Sequence, residues 1–512
     1  MRPDPTPRRP RLLLRHLLVA AIAVLLCTSG LVAGLAEPAS AAPKPAKVKG
    51  VKLKKPTVTG ATASFKVKWK RAARATTYKV KWKVPGGKPK KTKTRKTSHV
   101  IGGLAQGANY CVKVRALNGK RKGKWSKQIC RTTPRLDPVQ PVWVDQQQVQ
   151  GASVAVNFRW NEVAGATSYE LAYVPGEKDI QKHKKKKVVT VGATGTGTVS
   201  VPVGGLDPSQ TYCFQVRPSG PKGTGAWGVA GCKYTTPTTR AAGGPLQVNM
   251  MTWNMCTAVC TGVHDWSLRK ADAIARIGQI APDAVATQES GQAIDDFDAM
   301  PDYDMACKVG DGAPNQPGLP AGAKNQGLLI NNAKFTVIAG TANGYRFLPD
   351  THGGCWVRVK DNATDRELIL ASVHLIQPAA GSDQLRLNQM AAFWSAIQAD
   401  PSTTGLPIVL AGDYNSERNR ALDGPRQHLN FFGFDDAFDV AEQYASLPYV
   451  NSFNNWTYPG PISLRWGAHV DRVFVPPGAR VTSWRMEQPF ANGPGTRQLS
   501  DHSPVRVTVE IP

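Results

Sequence analysis

The chain is expected to fold as two all-β sandwiches followed by one larger α/β sandwich. Three observations lead to this. A pattern of Trp, Tyr and Cys occurs twice in the first half. The runs around it alternate apolar and polar residues with period two, as half-buried strands do. After about Pro245, strand-like runs begin to alternate with helix-periodic ones, the signature of a mixed α/β layer architecture. A length of 512 residues also exceeds one ordinary domain.

The first 41 residues stand outside this scheme. Arg8, Arg9, Arg11 and Arg15 precede an almost wholly apolar stretch at 17–35, and Ala39-Ser40-Ala41 is a small-x-small cleavage site. This reads as a secretory signal peptide, with an uncleaved membrane anchor as the alternative. It implies a secreted, extracellular protein. Beyond Cys27 eight cysteines remain, in sequential pairs: Cys111 with Cys130, Cys213 with Cys232, Cys256 with Cys260, and Cys307 with Cys355. No CxxC motif occurs and no histidines cluster beside them, so disulfides are expected rather than metal sites.

The first sandwich is assigned to 42–135 and the second to 136–240. Trp69 precedes Tyr78 by nine residues, as Trp160 precedes Tyr169. Tyr110-Cys111, Trp125 and Cys130 reappear as Tyr212-Cys213, Trp227 and Cys232 at identical spacing, 102 residues on. Short alternating runs such as "SFKVKWK", "TYKVKWKV" and "NYCVKVRAL" are separated by turn residues. These segments, with "LAQGANY" and "LDPSQTY" before the paired tyrosines, resemble fibronectin type III domains. Such domains rarely catalyse anything, and the second copy reads as a spacer.

The first copy is different. Residues 42–135 hold 29 Lys or Arg and no Asp or Glu. Residues 136–240 hold 11 against 7, and residues 241–512 hold 20 against 27. A one-signed block is usually a solvated face. Here it is interleaved with Phe65, Val67, Trp69, Tyr78, Val80 and Trp82, which makes it a folded strand pattern with an outer cationic surface. That surface should attract a polyanion, such as nucleic acid or an anionic cell envelope.

The C-terminal domain, 241–512, is where the chemistry collects. "SLRKADAIARIGQI" and "SDQLRLNQMAAFWSAIQA" are helix-periodic, the first with Leu268, Ala271, Ala275 and Ile277 inward, the second with Leu387, Met390, Ala391, Trp394 and Ile397 inward and Ser382 as N-cap. Six apolar strand-like runs carry polar residues at or near their ends. "VNMMTWN" ends on Asn254 and "AVATQE" on Glu289. His374 closes "LILASVH", and "PIVLAGDYN" ends on Asp413 and Asn415. Asp471 lies in "HVDRVFV", and Asp501 and His502 open the last strand. Residues two apart on a strand share a face, so Asp413 and Asn415 should project together. Burying so many polar groups costs about 1–3 kcal/mol each unless they are paired or bound.

In this order, "TWN", "TQE", "SVHL", "GDYN", "VDRV" and "SDHSP" resemble the endonuclease/exonuclease/phosphatase family, which includes DNase I-like nucleases, sphingomyelinases and inositol phosphatases. The resemblance covers essentially all of 248–511. It implies a four-layer α/β sandwich and metal-assisted hydrolysis of a phosphate ester, with Mg2+, or alternatively Mn2+ or Ca2+, held by Asn254, Glu289 and Asp501. It implies that Asp471 pairs with His502, that His374 meets a phosphate oxygen or the leaving group, that Asp413 prepares the water, and that Asn415 holds phosphate or water. One departure is plain: no acidic residue between Lys308 and His374 stands out as a partner for His374. DNA is the expected substrate. A phospholipid head group or inositol phosphate is the alternative, with "FNNWTYPGPISLRW" as a candidate membrane loop. A non-catalytic surface-binding protein is the reading from another class. No cofactor nucleotide is implied, and a monomer is expected.

Overall fold

A computed structural model describes residues 43–512 apart from 60–61, 84–85, 141, 178–179, 181, 239–243, 258, 309–325, 348–351, 380, 446–447 and 462–464. The expected signal peptide lies outside the described residues.

The first sandwich packs a sheet of Lys52–Leu53, Thr57–Thr59, Thr62–Lys68 and Ser98–Ala105 on one of Thr77–Lys83, Lys90–Thr94, Asn109–Asn118, Arg121–Lys122 and Ile129–Thr132. Period-two alternation turns Phe65, Val67, Tyr78, Val80, Val112 and Val114 inward. Residues 142–234 repeat this arrangement, with Val142–Gln150, Ser153–Asn161 and Thr198–Leu206 facing Ser168–Pro175, Lys187–Gly192, Thr211–Gly220 and Gly231–Tyr234. The repeated residues play repeated parts. Trp69 meets Tyr78 edge-on at 5.4 Å and Trp160 meets Tyr169 at 5.6 Å, both at 64°. Tyr110 accepts from the Ala105 amide and Tyr212 from the Asp207 amide. Disulfides Cys111–Cys130 and Cys213–Cys232 each join directly opposed residues of neighbouring strands.

Beyond Leu246 two sheets lie face to face. One runs Gln443–Ala445, Arg480–Met486, Val505–Ile511, Leu246–Asn254, Ala284–Gln288, Gly327–Asn331 and Tyr303–Lys308; the other centres on Gly353–Asp361, Glu367–His374, Ile408–Asp413 and Asp471–Val475. Val248, Met250, Ala284, Leu370, Val409 and Val473 fill the space between them, and Cys307–Cys355 links one sheet to the other. Helix Trp266–Ile280 covers the outside of the first sheet and helix Ser382–Ala399 the outside of the second. This is the four-layer sandwich.

Three expectations need correction. The inward face of Trp266–Ile280 is Trp266, Arg269, Ala273 and Ile277, with Leu268, Ala271 and Ala275 exposed. Periodicity alone treats Arg269 as a solvent residue. Here it is 1% exposed and donates to the carbonyls of His264, Met255, Cys256 and Leu499, four acceptors that would otherwise lie unpaired beside the chain at Asn254 and Asp501. In Ser382–Ala399, Gly381 is the N-cap and Leu387 and Ala391 are only half-buried, while Phe393 joins Met390, Trp394 and Ile397 inside.

The third correction concerns the second sandwich, which is no spacer. Gln146 pairs with Gln443, so strand Val142–Gln150 extends the first sheet of the C-terminal domain into one ten-stranded sheet. Gln147, 1% exposed, donates to the carbonyls of Asp439 and Ala441 and accepts from the Thr236 amide. One apolar cluster runs through both units. A spacer needs only a covalent linker; this junction is a folded core.

Candidate active site

The strand register assembles the site. His374, Asp413 and Asp471 end or begin three adjacent strands and lie side by side across them. On the facing sheet Asn254 closes Leu246–Asn254 opposite Gln288, and Glu289 follows at φ +50°. Cys256 and Asn415 also have positive φ, +50° and +47°. Non-glycine residues in this region are strained, and such strain gathers at sites that the surrounding structure over-determines. The strand therefore stops at Asp413, and a left-handed turn, not strand periodicity, brings Asn415 back to the same place.

Glu289, His374, Asp413, Asn415, Asp501 and His502 line one cavity of about 370 Å³. Asn254 and Asp471 stand behind them. Asn254 Nδ2 donates to Asp413 Oδ2 at 3.1 Å and to Glu289 Oε1 at 3.3 Å, while its Oδ1 accepts from the Cys256 amide at 3.0 Å. Oriented this way, Asn254 bridges two carboxylates through nitrogen, where an oxygen ligand was expected. Asp471 is fully buried and its Oδ2 accepts from His502 Nδ1 at 2.9 Å. The His502 Nε2 then lies 3.8 Å from Asp413 Oδ2, and His374 Nε2 lies 3.6 Å from the same atom. The Asp501 carboxylate lies within 4.8 Å of both sulfurs of Cys256–Cys260; that disulfide braces the loop between Asn254 and the cavity.

The imidazole of His374 is held between two carboxamides, Gln326 Nε2 at 3.3 Å from Nδ1 and Asn415 Nδ2 at 3.2 Å from Nε2. Among the described residues, Gln326 meets the Nδ1 side of this ring. It opens the strand run "GLLIN" and carries the same signal as the other site residues, a polar residue at the end of an apolar strand. Arg420, Asn451 and Phe453 also line the cavity; no motif singles out the first two, and Phe453 opens the segment read from the sequence as a candidate membrane loop. Phe453 sits with its ring 5.0 Å from His502.

Burial, and next the Asp471 charge, push the Asp413 carboxyl up to about 7; His502 and hydrogen bonds from Asn415 and Asn254 offset only part of this. Burial works against a charged His502, yet Asp471 and then Asp413 and Asp501 raise it to about 10. At neutral pH the site thus holds a cationic imidazole on a carboxylate, beside a carboxyl poised to exchange a proton.

Residues 251–502 match the sequence profile of the Endonuclease/Exonuclease/phosphatase family. The C-terminal domain belongs to this family. Residues 47–131 match the fibronectin type III domain, so that profile covers the first sandwich and leaves the second to its strand pattern. An endonuclease/exonuclease/phosphatase family protein of Bacteroides thetaiotaomicron is 18% identical over 52% of this chain and 98% of its own, with a TM-score of 0.41. A mannosyl-6-phosphatase of the same organism is 17% identical over 52% and 100%, with a TM-score of 0.42. The human Nocturnin catalytic domain is 17% identical over 53% and 97%, with a TM-score of 0.39. The chain is also 27% identical over 148 residues to mouse ephrin type-A receptor 8, of whose length it spans 14%. As an endonuclease/exonuclease/phosphatase domain, the C-terminal unit is a hydrolase of phosphate esters, and enzymes of this family generally depend on a divalent metal.

The Asp471–His502 pair has a readable consequence. A histidine whose folded pKa exceeds its unfolded value stabilises the fold fully below about 6.5 and loses that contribution as pH rises through about 10. In metal-free protein, NMR titration should find His502 still protonated at pH 8, and Asp471→Asn should bring its midpoint down by more than about one unit. An unchanged midpoint in the variant would mean that Asp471 does not hold the charge.

Proposed function

We propose that the protein is a secreted, metal-dependent phosphodiesterase that cuts extracellular nucleic acid, DNA foremost. The observation that carries this is the single cavity in which three carboxylates and two histidines, delivered from the ends of two facing sheets, meet.

The donor set fits a hard divalent cation. Glu289 and Asp501 present carboxylate oxygens in one cavity, and the neighbouring sulfurs are tied up in Cys256–Cys260. Glu289 and Asp501 would hold Mg2+ or a similar ion, with Asn254 fixing the Glu289 carboxylate. Such an ion supplies charge neutralisation for an anionic ester. The chain's own groups do the rest. Asp413, with a pKa near neutrality, takes the proton of the attacking water. His502, charged and aimed by Asp471, offers a proton donor to the phosphoryl oxygens. His374, fixed by Gln326 and Asn415, presents a second ring to the phosphate or leaving group. Arg420 lines the wall as a fixed cation.

DNA is favoured by the first sandwich. On its outer sheet face Lys79 lies opposite both Lys93 and Arg115, and Lys81 opposite both Lys91 and Lys113. Opposed like charges destabilise a sheet. Burial and then Lys91, Arg115, Lys93 and Lys122 lower the pKa of Lys79. Two parallel rows of cations with no acid in the unit suit a phosphate backbone, and a tethered substrate is locally concentrated at the site. The lipid reading loses support. Among the described residues of the loop at 453–466, only Phe453 is an exposed large apolar side chain. Trp466 is buried and Trp456 stacks on His264 at 3.7 Å.

Plasmid DNA, RNA, sphingomyelin and inositol phosphates should be compared with Mg2+ and with chelator. Supercoil nicking that needs metal and falls by about 100–10,000-fold in His502→Ala is expected. Phosphocholine release with the plasmid intact would transfer the assignment to lipid, and turnover in chelator would contradict the mechanism. Replacing Lys79, Lys81, Lys91 and Lys93 by Gln should lower the salt dependence of DNA binding, by about 0.9 in log–log slope for each phosphate no longer neutralised. An unchanged slope would place DNA binding elsewhere.

A further inference from the structure

Two loops build one wall of the cavity. Residues 414–420 follow the strand Ile408–Asp413 and carry Asn415 and Arg420; the second loop, ending at Val470, carries Asn451 and Phe453. They are tied together: Asn419 Nδ2 donates to the Gly467 carbonyl at 2.6 Å, and the Tyr414 amide to the Val470 carbonyl at 2.8 Å.

Both loops are also anchored outside their own domain. Arg418 pairs with Asp439 and lays its guanidinium 3.6 Å from the ring centre of Trp466 and 5.6 Å from that of Tyr234, a residue of the second sandwich. Trp466 is 3% exposed and packs among Val174, Ile180 and the Cys213–Cys232 disulfide. Tyr449 Oη donates to the Cys232 carbonyl at 3.0 Å, and the Cys232 amide donates to the Arg465 carbonyl at 2.6 Å. Arg465 pairs with Glu177 at 2.8 Å. Even Asp439, the partner of Arg418, is held from the sandwich, since buried Lys233 donates from Nζ to its carbonyl at 2.6 Å. Anchors of this kind from strand Gly231–Tyr234 to both loops leave little freedom for either loop to move while the sandwich stays docked.

We propose that the second sandwich is a working part of the catalytic unit, clamping both active-site loops through Arg418, Trp466 and Tyr449. These three are positioning residues: none lines the cavity, and each fixes a loop that does. The proposal rests on the hydrolytic reading above, because a displacement of about 1 Å at a reacting centre can cost about 100-fold in rate.

The test uses the full-length protein with Mg2+ and bis(p-nitrophenyl) phosphate, a substrate too small to reach the sandwich. Arg418→Ala and Trp466→Ala should lower kcat by about 10–100-fold with KM changed less than about threefold. Arg418→Lys, which keeps the charge for Asp439, should recover part of the loss. Tyr449→Phe removes one hydroxyl and guards against misfolding; it should lower kcat by about threefold or more. A second readout needs no turnover: in Trp466→Ala the amides of 449–456 should exchange with deuterium at least about tenfold faster while those of Ile408–Asp413 stay protected. Wild-type kcat and wild-type exchange in these variants would overturn the proposal, as would exchange that rises equally in the central strands. Should the wild type hydrolyse no phosphate ester, the functional reading fails, and exchange alone still decides the clamp.

Discussion

Asp413, Asp471 and His502 bring two carboxylates and an imidazole within 4.8 Å of one another, all of them buried. Two carboxylates this close and this dry cannot both carry full charge unless positive charge is brought to them. The fold meets that constraint with His502, whose pKa Asp471 raises, with an Asp413 carboxyl that burial and Asp471 push upward, and with hydrogen bonds from Asn254 and the Asn415 amide. The rest of the domain follows from having to hold these groups. Three adjacent strands must end in register, the facing sheet must deliver Asn254 and Glu289 to the same depth, and the backbone at Cys256, Glu289 and Asn415 must take left-handed turns to do so.

Much of this was legible in the sequence because burial and polarity conflict visibly there. Apolar runs ending in Asn, Asp, Glu or His mark strands whose tips leave the core, and in the structure Glu289, His374, Asp413, Asn415, Asp501 and His502 line one cavity with Asn254 and Asp471 behind them. The paired Trp, Tyr and Cys spacings were legible for a similar reason, since each pair is one local packing arrangement repeated. What escaped were residues whose role depends on tertiary company. Arg269 looks like a surface cation until four carbonyls surround it. Gln326 shares the strand-end signal but nothing in its spacing points to His374, and Arg420 carries no signal that points to the cavity. The direction of the Asn254 carboxamide is set by the Cys256 amide, a hydrogen bond that no motif encodes.

The junction between the second sandwich and the catalytic unit was the least legible feature. The sheet becomes continuous through the pairing of Gln146 with Gln443, and the junction buries Gln147 and Lys233, residue types that composition alone places at the surface. Once the sheet is continuous, the outer face of strand Gly231–Tyr234 becomes the floor on which the active-site loops rest. The first sandwich has the opposite character. Its charge pattern was obvious from composition, and its strand register converts that composition into two rows of opposed cations. One repeat thus carries two physical characters, a sheet face of opposed cations in the first copy and direct contacts to loops of the C-terminal domain in the second.

The central claim is convergence: groups scattered from Glu289 to His502 share one acidic cavity able to seat a hard cation. Anomalous diffraction from crystals of the intact protein soaked in Mn2+ tests it most directly. The account predicts a peak inside the cavity, about 2.0–2.3 Å from carboxylate oxygens of Glu289 or Asp501. Peaks confined to the outer surface at saturating Mn2+, with Glu289 and Asp501 turned away from a common point, would contradict it.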